Sequence, residues 1–169
     1  SGYEDVREAI ARNIKEKNSI ELNYENIVMT CGAAGGLNII LKSLLNPGDE
    51  VIVFAPFFGE YINYVKNFDG KVKVIYSEDT IQQLSNILRE KEEEFKQDIY
   101  LISDEPYREI VYDNAKVPCV LKYYDNSFIG YSYSKSLSLP GERIGYVVVN
   151  PKINGFKEIV SSLNIANRI

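Results

Sequence analysis

The stretch SYSKSLSLPGERIG, residues 132–145, is the most informative segment of this chain. Lys135 lies among small hydroxyl residues, and Arg143 follows eight positions later. A lysine amine beside a fixed cation is a nucleophile that can form a Schiff base with an aldehyde. Ser132, Ser134 and Arg143 can together bind a phosphate. The stretch therefore indicates a cofactor that carries both groups, as pyridoxal phosphate does.

The composition is that of one ordinary globular domain. The chain has 169 residues, of which 45% are hydrophobic and 25% are charged, and this length allows a sizeable core. No apolar run approaches the ~20 residues that cross a membrane, and no signal peptide is visible. We therefore expect a cytoplasmic protein without a membrane partner. A net charge of −5 argues against nucleic acid as a partner.

The chain contains no histidine, which excludes a Ser-His-Asp triad, a Cys-His pair and HExxH zinc sites. Cys31 and Cys119 match no zinc or redox spacing. We expect two reduced cysteines and no metal site. Proton transfer would then fall to Lys, Tyr, Asp, Glu or Cys.

Strand-like and helix-like segments alternate along the chain. Helical periodicity covers residues 3–17, 37–45, 59–66, 78–96 and the segment from Gly155. For the helix over residues 78–96, we expect Ser77 as the N-cap and a core-facing side formed by Ile81, Leu84, Ile87 and Leu88. Strand patterns cover residues 27–31, 50–55, 71–76, 99–103, 128–133 and 145–149. Short apolar strands between helices predict an α/β fold, a three-layer αβα sandwich with a mostly parallel central sheet.

Four candidate patches follow predicted strands, where ligands bind in such sheets. Residues 32–36, GAAGG, form a small-residue turn whose backbone N–H groups can approach an anion. Phe58 can stack on a planar cofactor. Asp104 can pair with a protonated ring nitrogen, and Tyr107 can hydrogen-bond a phenolic oxygen. The fourth patch contains Lys135.

Each patch has an ordinary structural explanation: a tight turn, a core phenylalanine, a surface turn and an exposed lysine. Together they supply an anion site, a stacking ring, an acid and an amine, which are the parts of a pyridoxal phosphate site. Their occurrence at successive strand ends makes that interpretation stronger than any single patch does.

With these residues, the chain resembles the class I/II aminotransferases, which are fold-type-I pyridoxal phosphate enzymes. The resemblance implies that Lys135 forms the Schiff base and moves the proton. It implies that Ser132, Arg143 and nearby Ser134 bind the phosphate. Further cofactor contacts are implied for Gly32, Ala33, Ala34, Phe58, Asp104 and Tyr107. It also implies a homodimer.

The chain departs from the family pattern in three places. The Asn-Pro-x-Asn-Pro-Thr-Gly motif is absent, and a strand with its flanks is missing near residues 74–75. The family's N-terminal arm and its C-terminal small domain, which carries the substrate-binding arginine, are missing too. Residues 1–169 would thus be an incomplete large domain. Either a longer enzyme is represented only in part, or the chain is a truncation. We favour the first, because losing an inner strand exposes unpaired edges.

The resemblance implies an aminotransferase that moves an amino group from an L-amino acid to a 2-oxo acid. A C–S lyase or an aminocyclopropane-carboxylate synthase-like enzyme would use the same cofactor residues. An inert pyridoxal phosphate-binding module, or a nucleotide-binding α/β domain in which Lys135 is incidental, are alternatives from other classes.

Overall fold

The computed structural model describes residues 2–55, 57–76, 81–112 and 117–168. The helices are α1 (Glu4–Asn18), α2 (Gly32–Leu44), α3 (Tyr61–Lys66), α4 (Ile81–Phe95), the short α5 (Tyr133–Ser136) and α6 (Phe156–Ala166). The strands are β1 (Ile27–Cys31), β2 (Glu50–Ala55), β3 (Lys71–Tyr76), β4 (Leu101–Asp104), β5 (Ser127–Ser132) and β6 (Ile144–Val149). The predicted α/β class is confirmed.

The strands form two sheets in the described part of the chain. Four strands lie in the order β1-β6-β5-β4, and β2 pairs separately with β3. The β2–β3 and β4–β5 pairs are parallel, as expected. Strand β6 runs antiparallel to both of its neighbours, so the larger sheet is mixed. The reason is that β5 returns into β6 through one short connection, which reverses the chain direction.

Both faces of the four-stranded sheet are buried. Ile129 and Val148 pack on one side with α1, while Phe128 and Val147 pack on the other with α2 and α6. Successive strand residues point to opposite faces, so a strand covered on both sides is apolar at almost every position. This explains the apolar run of β6, IGYVVV, and the central FIGY of β5, which is flanked by the buried Ser127 and Ser132.

Near the candidate site, the ends of the helices and strands differ from the predicted ones. Helix α2 begins at Gly32 rather than Leu37, so the GAAGG segment forms the first turns of the helix. Strand β4 extends through Asp104, and β5 ends at Ser132, which leaves Lys135 in the helical turn α5. Ala33 and Ala34 are strong helix formers, whereas the three glycines of the segment disfavour helix, so the early start of α2 is set by its packing rather than by local propensity.

Helix α4 differs from the prediction on one face. Ile87, expected in the core, is 44% exposed, whereas Ser85 is buried. The proposed N-cap Ser77 and the predicted helical residues 78–80 lie outside the described residues. Cys31 is exposed, Cys119 is buried, and both are free. Within the described ranges, every helix is too short or too polar to cross a bilayer.

Candidate cofactor site

The site residues gather where the carboxyl ends of β1 and β5 meet the start of β6. Cys31, the last residue of β1, is paired with Ile144, and Ser132, the last of β5, is paired with Gly145. The N-terminus of α2 and the turn α5 therefore emerge side by side. This is the edge at which ligands bind in open α/β sheets.

Two glycines allow the chain to close up at this edge. A Cβ on Gly145 would lie 2.5 Å from the Tyr131 carbonyl oxygen and 2.6 Å from the Gly32 carbonyl carbon. Gly32 itself has φ of 70°, in the left-handed region that side chains disfavour. The backbone of β6 thus passes directly against the start of α2, which no larger residue at 145 would permit.

Arg143 lies over this glycine contact. A Cβ on Gly32 would be 3.1 Å from Nη2 of Arg143. The guanidinium makes a 3.5 Å hydrogen bond to the Pro140 carbonyl and, among the described residues, pairs with no carboxylate. An exposed guanidinium beside a helix N-terminus is suited to an anion. The backbone N–H groups of Ala33 and Ala34 belong to that N-terminus.

Two serines complete the anion cradle. Ser132 is buried, and its Oγ lies 2.6 Å from Ser134 Oγ. The same Oγ accepts a 3.1 Å hydrogen bond from the Ser134 N–H and so caps α5. The cap fixes the start of the turn that carries Lys135.

Lys135 and Tyr107 are neighbours. The Lys135 Nζ lies 5.2 Å from the centre of the Tyr107 ring, within the range of a cation–π contact. Both side chains are exposed. Tyr107 comes from the turn after β4, so the structure brings together two residues that are 28 positions apart in the sequence.

Only one of the two carboxylate oxygens of Asp104 has a hydrogen-bond partner among the described residues. Its Oδ2 accepts a 2.7 Å hydrogen bond from the Tyr61 hydroxyl. Its Oδ1 is buried, and within the described residues it has no hydrogen-bond partner. Burial raises the pKa of Asp104 above its ordinary value, and the Tyr61 hydrogen bond opposes that rise. A buried carboxylate oxygen without a partner is costly, so this atom is a natural acceptor for a ligand N–H.

Tyr61 was not foreseen from the sequence. It lies on α3, and its ring makes an edge-to-face contact with Phe58, at 5.8 Å between centroids and 78° between planes. Phe58 is otherwise exposed. The sequence could have indicated Tyr61 only through its position three residues after Phe58, because aromatic residues at that spacing can contact each other.

The residues fit pyridoxal phosphate. The partnerless Oδ1 of Asp104 suits a protonated ring nitrogen, the cradle of Gly32, Ser132, Ser134 and Arg143 suits a phosphate, and Lys135 supplies the amine. The cradle and the amine meet at one end of the sheet. The acid lies on β4, next to β5 in the same sheet.

Comparison with known proteins agrees with this class of site. The family model "Aminotransferase class I and II" matches residues 1–97 and 93–169, and the chain therefore belongs to that family. The probable aspartate/prephenate aminotransferase of Aquifex aeolicus is 30% identical over 97% of this chain and 50% of its own length. The probable aspartate aminotransferase of Methanocaldococcus jannaschii is 24% identical over 96% and 51%.

Solved structures agree. An aminotransferase from Eubacterium rectale superposes with a TM-score of 0.94 at 37% identity, covering 99% of this chain and 52% of the other. The alanine aminotransferase of Pyrococcus furiosus has a TM-score of 0.86 at 22% identity, covering 99% and 51%. The chain thus spans about half the length of the proteins it matches. The resemblance inferred from residues 132–145 is confirmed.

Proposed function

We propose that this chain forms the cofactor-binding part of a pyridoxal phosphate-dependent aminotransferase, which moves an amino group from an L-amino acid to a 2-oxo acid. The observation that carries the proposal is the buried Oδ1 of Asp104, which has no hydrogen-bond partner among the described residues, in a sheet that also presents Lys135 and Arg143. Family membership and the names of the relatives support the reaction class.

When bound, pyridoxal phosphate supplies an aldehyde and a ring that accepts electrons. Asp104 would hold a proton at the ring nitrogen through charge and a hydrogen bond. Because its pKa is raised by burial, a cationic partner would restore the ionised form. Phe58 would cover a face of the ring, and Tyr107 would donate to its phenolic oxygen.

Lys135 would supply the amine that holds the aldehyde and the base that moves the proton. The phosphate would be held by the anion cradle, which consists of Arg143, Ser132, Ser134 and the N–H groups of residues 32–34. The cap from Ser132 to Ser134 joins phosphate binding to the turn of Lys135. The same serine would therefore orient both anion and nucleophile.

We further propose that residues 1–169 are an incomplete large domain with a strand missing between β4 and β2. The two sheets are separate in the described part of the chain, and Tyr61, on the helix that follows β2, donates a hydrogen bond to Asp104 at the end of β4. The alignment with the Methanocaldococcus relative runs over 199 positions, so it has at least 30 with no residue of this 169-residue chain. The intact mass of the natural protein tests this, since a value near 19.2 kDa would contradict it.

We also propose that the functional protein is a cytoplasmic homodimer without a nucleic-acid or membrane partner, with substrate-carboxylate binding in the half of the relatives that this chain does not match. Membership of the family supports the dimer, and the net charge of −5 is unsuited to nucleic acid. Light scattering after size-exclusion chromatography tests the dimer, and a monomer at micromolar concentration would contradict it.

Borohydride reduction with added pyridoxal phosphate tests the cofactor site. We expect a characteristic absorption band and, after reduction and peptide mapping, an adduct on Lys135. No adduct on Lys135, or equal labelling of exposed lysines such as Lys91, would overturn the proposal.

Incubation with an amino acid and 2-oxoglutarate then separates the reactions. Transfer of the amino group supports an aminotransferase. Ammonia and pyruvate formed without an acceptor would indicate a lyase instead. An adduct without any turnover would indicate a binding module.

A further inference from the structure

An ion pair between the buried Glu105 and the partly buried Arg108 follows the end of β4. Glu105 is only 7% exposed, and its Oε2 is 2.6 Å from Arg108 Nη1. The other oxygen, Oε1, accepts a 2.9 Å hydrogen bond from Ser103 Oγ. Both carboxylate oxygens of Glu105 are thus satisfied, in contrast to those of its neighbour Asp104. None of the cofactor contacts described above uses this pair.

Arg108 joins the pair to two other parts of the chain. Nη1 also donates to the Pro118 carbonyl at 3.3 Å, and Nη2 donates to the Val117 carbonyl at 3.1 Å. Nη2 reaches Asn18 Oδ1, at the end of α1, at 3.3 Å. A guanidinium can make such contacts because its donors lie in a rigid plane. A lysine would hold only part of this set.

Each member of the pair directly follows a residue that is proposed to face the cofactor. Asp104 precedes Glu105, and Tyr107 precedes Arg108. The Glu105 N–H donates to the Gly130 carbonyl at 2.8 Å, which continues the β4–β5 pairing by one residue. The Arg108 N–H then donates to the Glu105 carbonyl at 3.2 Å and closes the turn. The turn that presents Tyr107 to Lys135 therefore begins and ends at the ion pair.

We propose that Glu105 and Arg108 are positioning residues that fix Asp104 and Tyr107 toward the cofactor, an inference that rests on the proposed function. Side chains alternate along a strand, so holding Ser103 and Glu105 on one side directs Asp104 to the other, where Tyr61 meets it. Arg108 anchors the turn to α1 and to residues 117–118. The pair acts on the cofactor only through its two neighbours.

A buried ion pair is weak support for stability, because desolvation offsets most of the attraction. Removing one member alone leaves an uncompensated buried charge and is strongly destabilising. The informative variant is therefore the double one, Glu105→Gln with Arg108→Met, which keeps the volume and removes both charges. Arg108→Lys keeps the charge and loses the planar donor set. Lys17→Met is the control, because it removes an exposed 3.4 Å pair with Glu109 of the same turn.

The experiment is a titration of each purified full chain with pyridoxal phosphate, followed at the cofactor's absorption band, with borohydride mapping and thermal unfolding in parallel. We expect the folded double variant to bind pyridoxal phosphate about tenfold more weakly, because a misdirected Asp104 would weaken one hydrogen bond between charged groups, and its absorption maximum to shift. Arg108→Lys should lie between wild type and the double variant, and Lys17→Met should match wild type.

The outcomes separate the two proposals. A double variant with wild-type affinity and an unshifted band overturns the positioning role, even if its unfolding temperature falls. Wild-type affinity in Arg108→Lys together with weak binding in the double variant would assign the effect to charge alone and also overturn it. Absence of the Lys135 adduct in the wild-type chain overturns the proposed function, and the positioning inference with it.

Discussion

The two sheets of this protein differ sharply in how they are covered. In the four-stranded sheet, every residue of β5 is buried and helices pack on both faces. In the β2–β3 pair, Ile52, Phe54 and Val74 are exposed and Val53 is buried. The first sheet carries Lys135, Asp104 and Arg143 on or just beyond its strands, whereas the second leads into Phe58 and Tyr61. The proposed cofactor site thus draws its residues from a well-packed half and a sparsely packed half.

Contacts of two kinds join these halves in the described part of the chain. Tyr61 donates to Asp104 across the two sheets, and α2 contacts α3. A sheet with a strand between β4 and β2 would carry this connection through backbone hydrogen bonds. In the described part of the chain, the Tyr61–Asp104 hydrogen bond and the contacts between α2 and α3 make this connection.

The largest contrast is expected from one substitution made in each sheet. Phe128→Ala removes a fully buried ring from β5 and should lower the free energy of unfolding by about 3–5 kcal/mol. Phe54→Ala, at a side chain that is 38% exposed in β2, should lower it by at most about 1 kcal/mol. Urea unfolding measures both. Equal losses would mean that the β2–β3 pair is covered as completely as the larger sheet.

A second contrast uses glycines. Gly145→Ala places a Cβ against backbone atoms of Tyr131 and Gly32 that cannot move independently, and should destabilise by about 1–3 kcal/mol. Gly59→Ala, which follows β2, meets open space and should stay within about 0.5 kcal/mol of wild type. Thermal unfolding of both variants checks this. A neutral Gly145→Ala would contradict the close approach of β6 to α2.

The same division explains what the sequence could predict. Lys135, Ser132 and Arg143 lie within twelve positions, and the short-range pattern placed Ser132 and Lys135 at the end of a strand, as the structure has them. The separation of the described strands into two sheets could not be predicted, because strand order depends on contacts between distant segments. The missing strand near residues 74–75 stays a prediction.

Long-range polar contacts account for what was missed. Tyr61 reaches Asp104 across 43 positions, and an aromatic residue on a short helix resembles a core residue in the sequence. Glu105 is buried because Arg108 and Ser103 satisfy it, whereas charged residues are usually exposed. The prediction that Ile87 faces the core is wrong for a related reason. Apolar residues at helical spacing indicate which face of a helix is apolar, but not which element covers each residue of that face.

A third prediction concerns the charge of Asp104 within the larger sheet. Asp104→Asn keeps an acceptor for Tyr61 but removes the negative charge proposed to pair with the ring nitrogen. The apparent affinity for pyridoxal phosphate should fall about 10- to 100-fold, as expected for a hydrogen bond to a charged group. Absorption titration measures it. Asp69→Asn, in the connection between α3 and β3, is the matched control and should bind as wild type; unchanged binding by Asp104→Asn would remove this aspartate from the proposed site.

The smallest expected effect tests the connection between the sheets. The Tyr61 hydrogen bond lowers the pKa of Asp104, which burial raises from 3.8. Tyr61→Phe should therefore raise the pKa of the Asp104 carboxyl further. Carbon-detected NMR of that carboxyl across an acid titration measures the shift. Tyr64→Phe, one turn along α3, removes a hydroxyl that does not bond Asp104 in the described structure and is the control.

The sign of the accompanying stability change follows from linkage. Because the folded pKa of Asp104 lies above 3.8, protonation favours the folded state: the contribution is fully present below the unfolded pKa and is lost as pH rises through the folded one. Tyr61→Phe moves the upper end of that window upward, so the variant should lose more stability than wild type between acid and neutral pH. An unchanged Asp104 midpoint in Tyr61→Phe would show that this hydrogen bond does not join the two sheets in solution, and that contacts between α2 and α3 hold them instead.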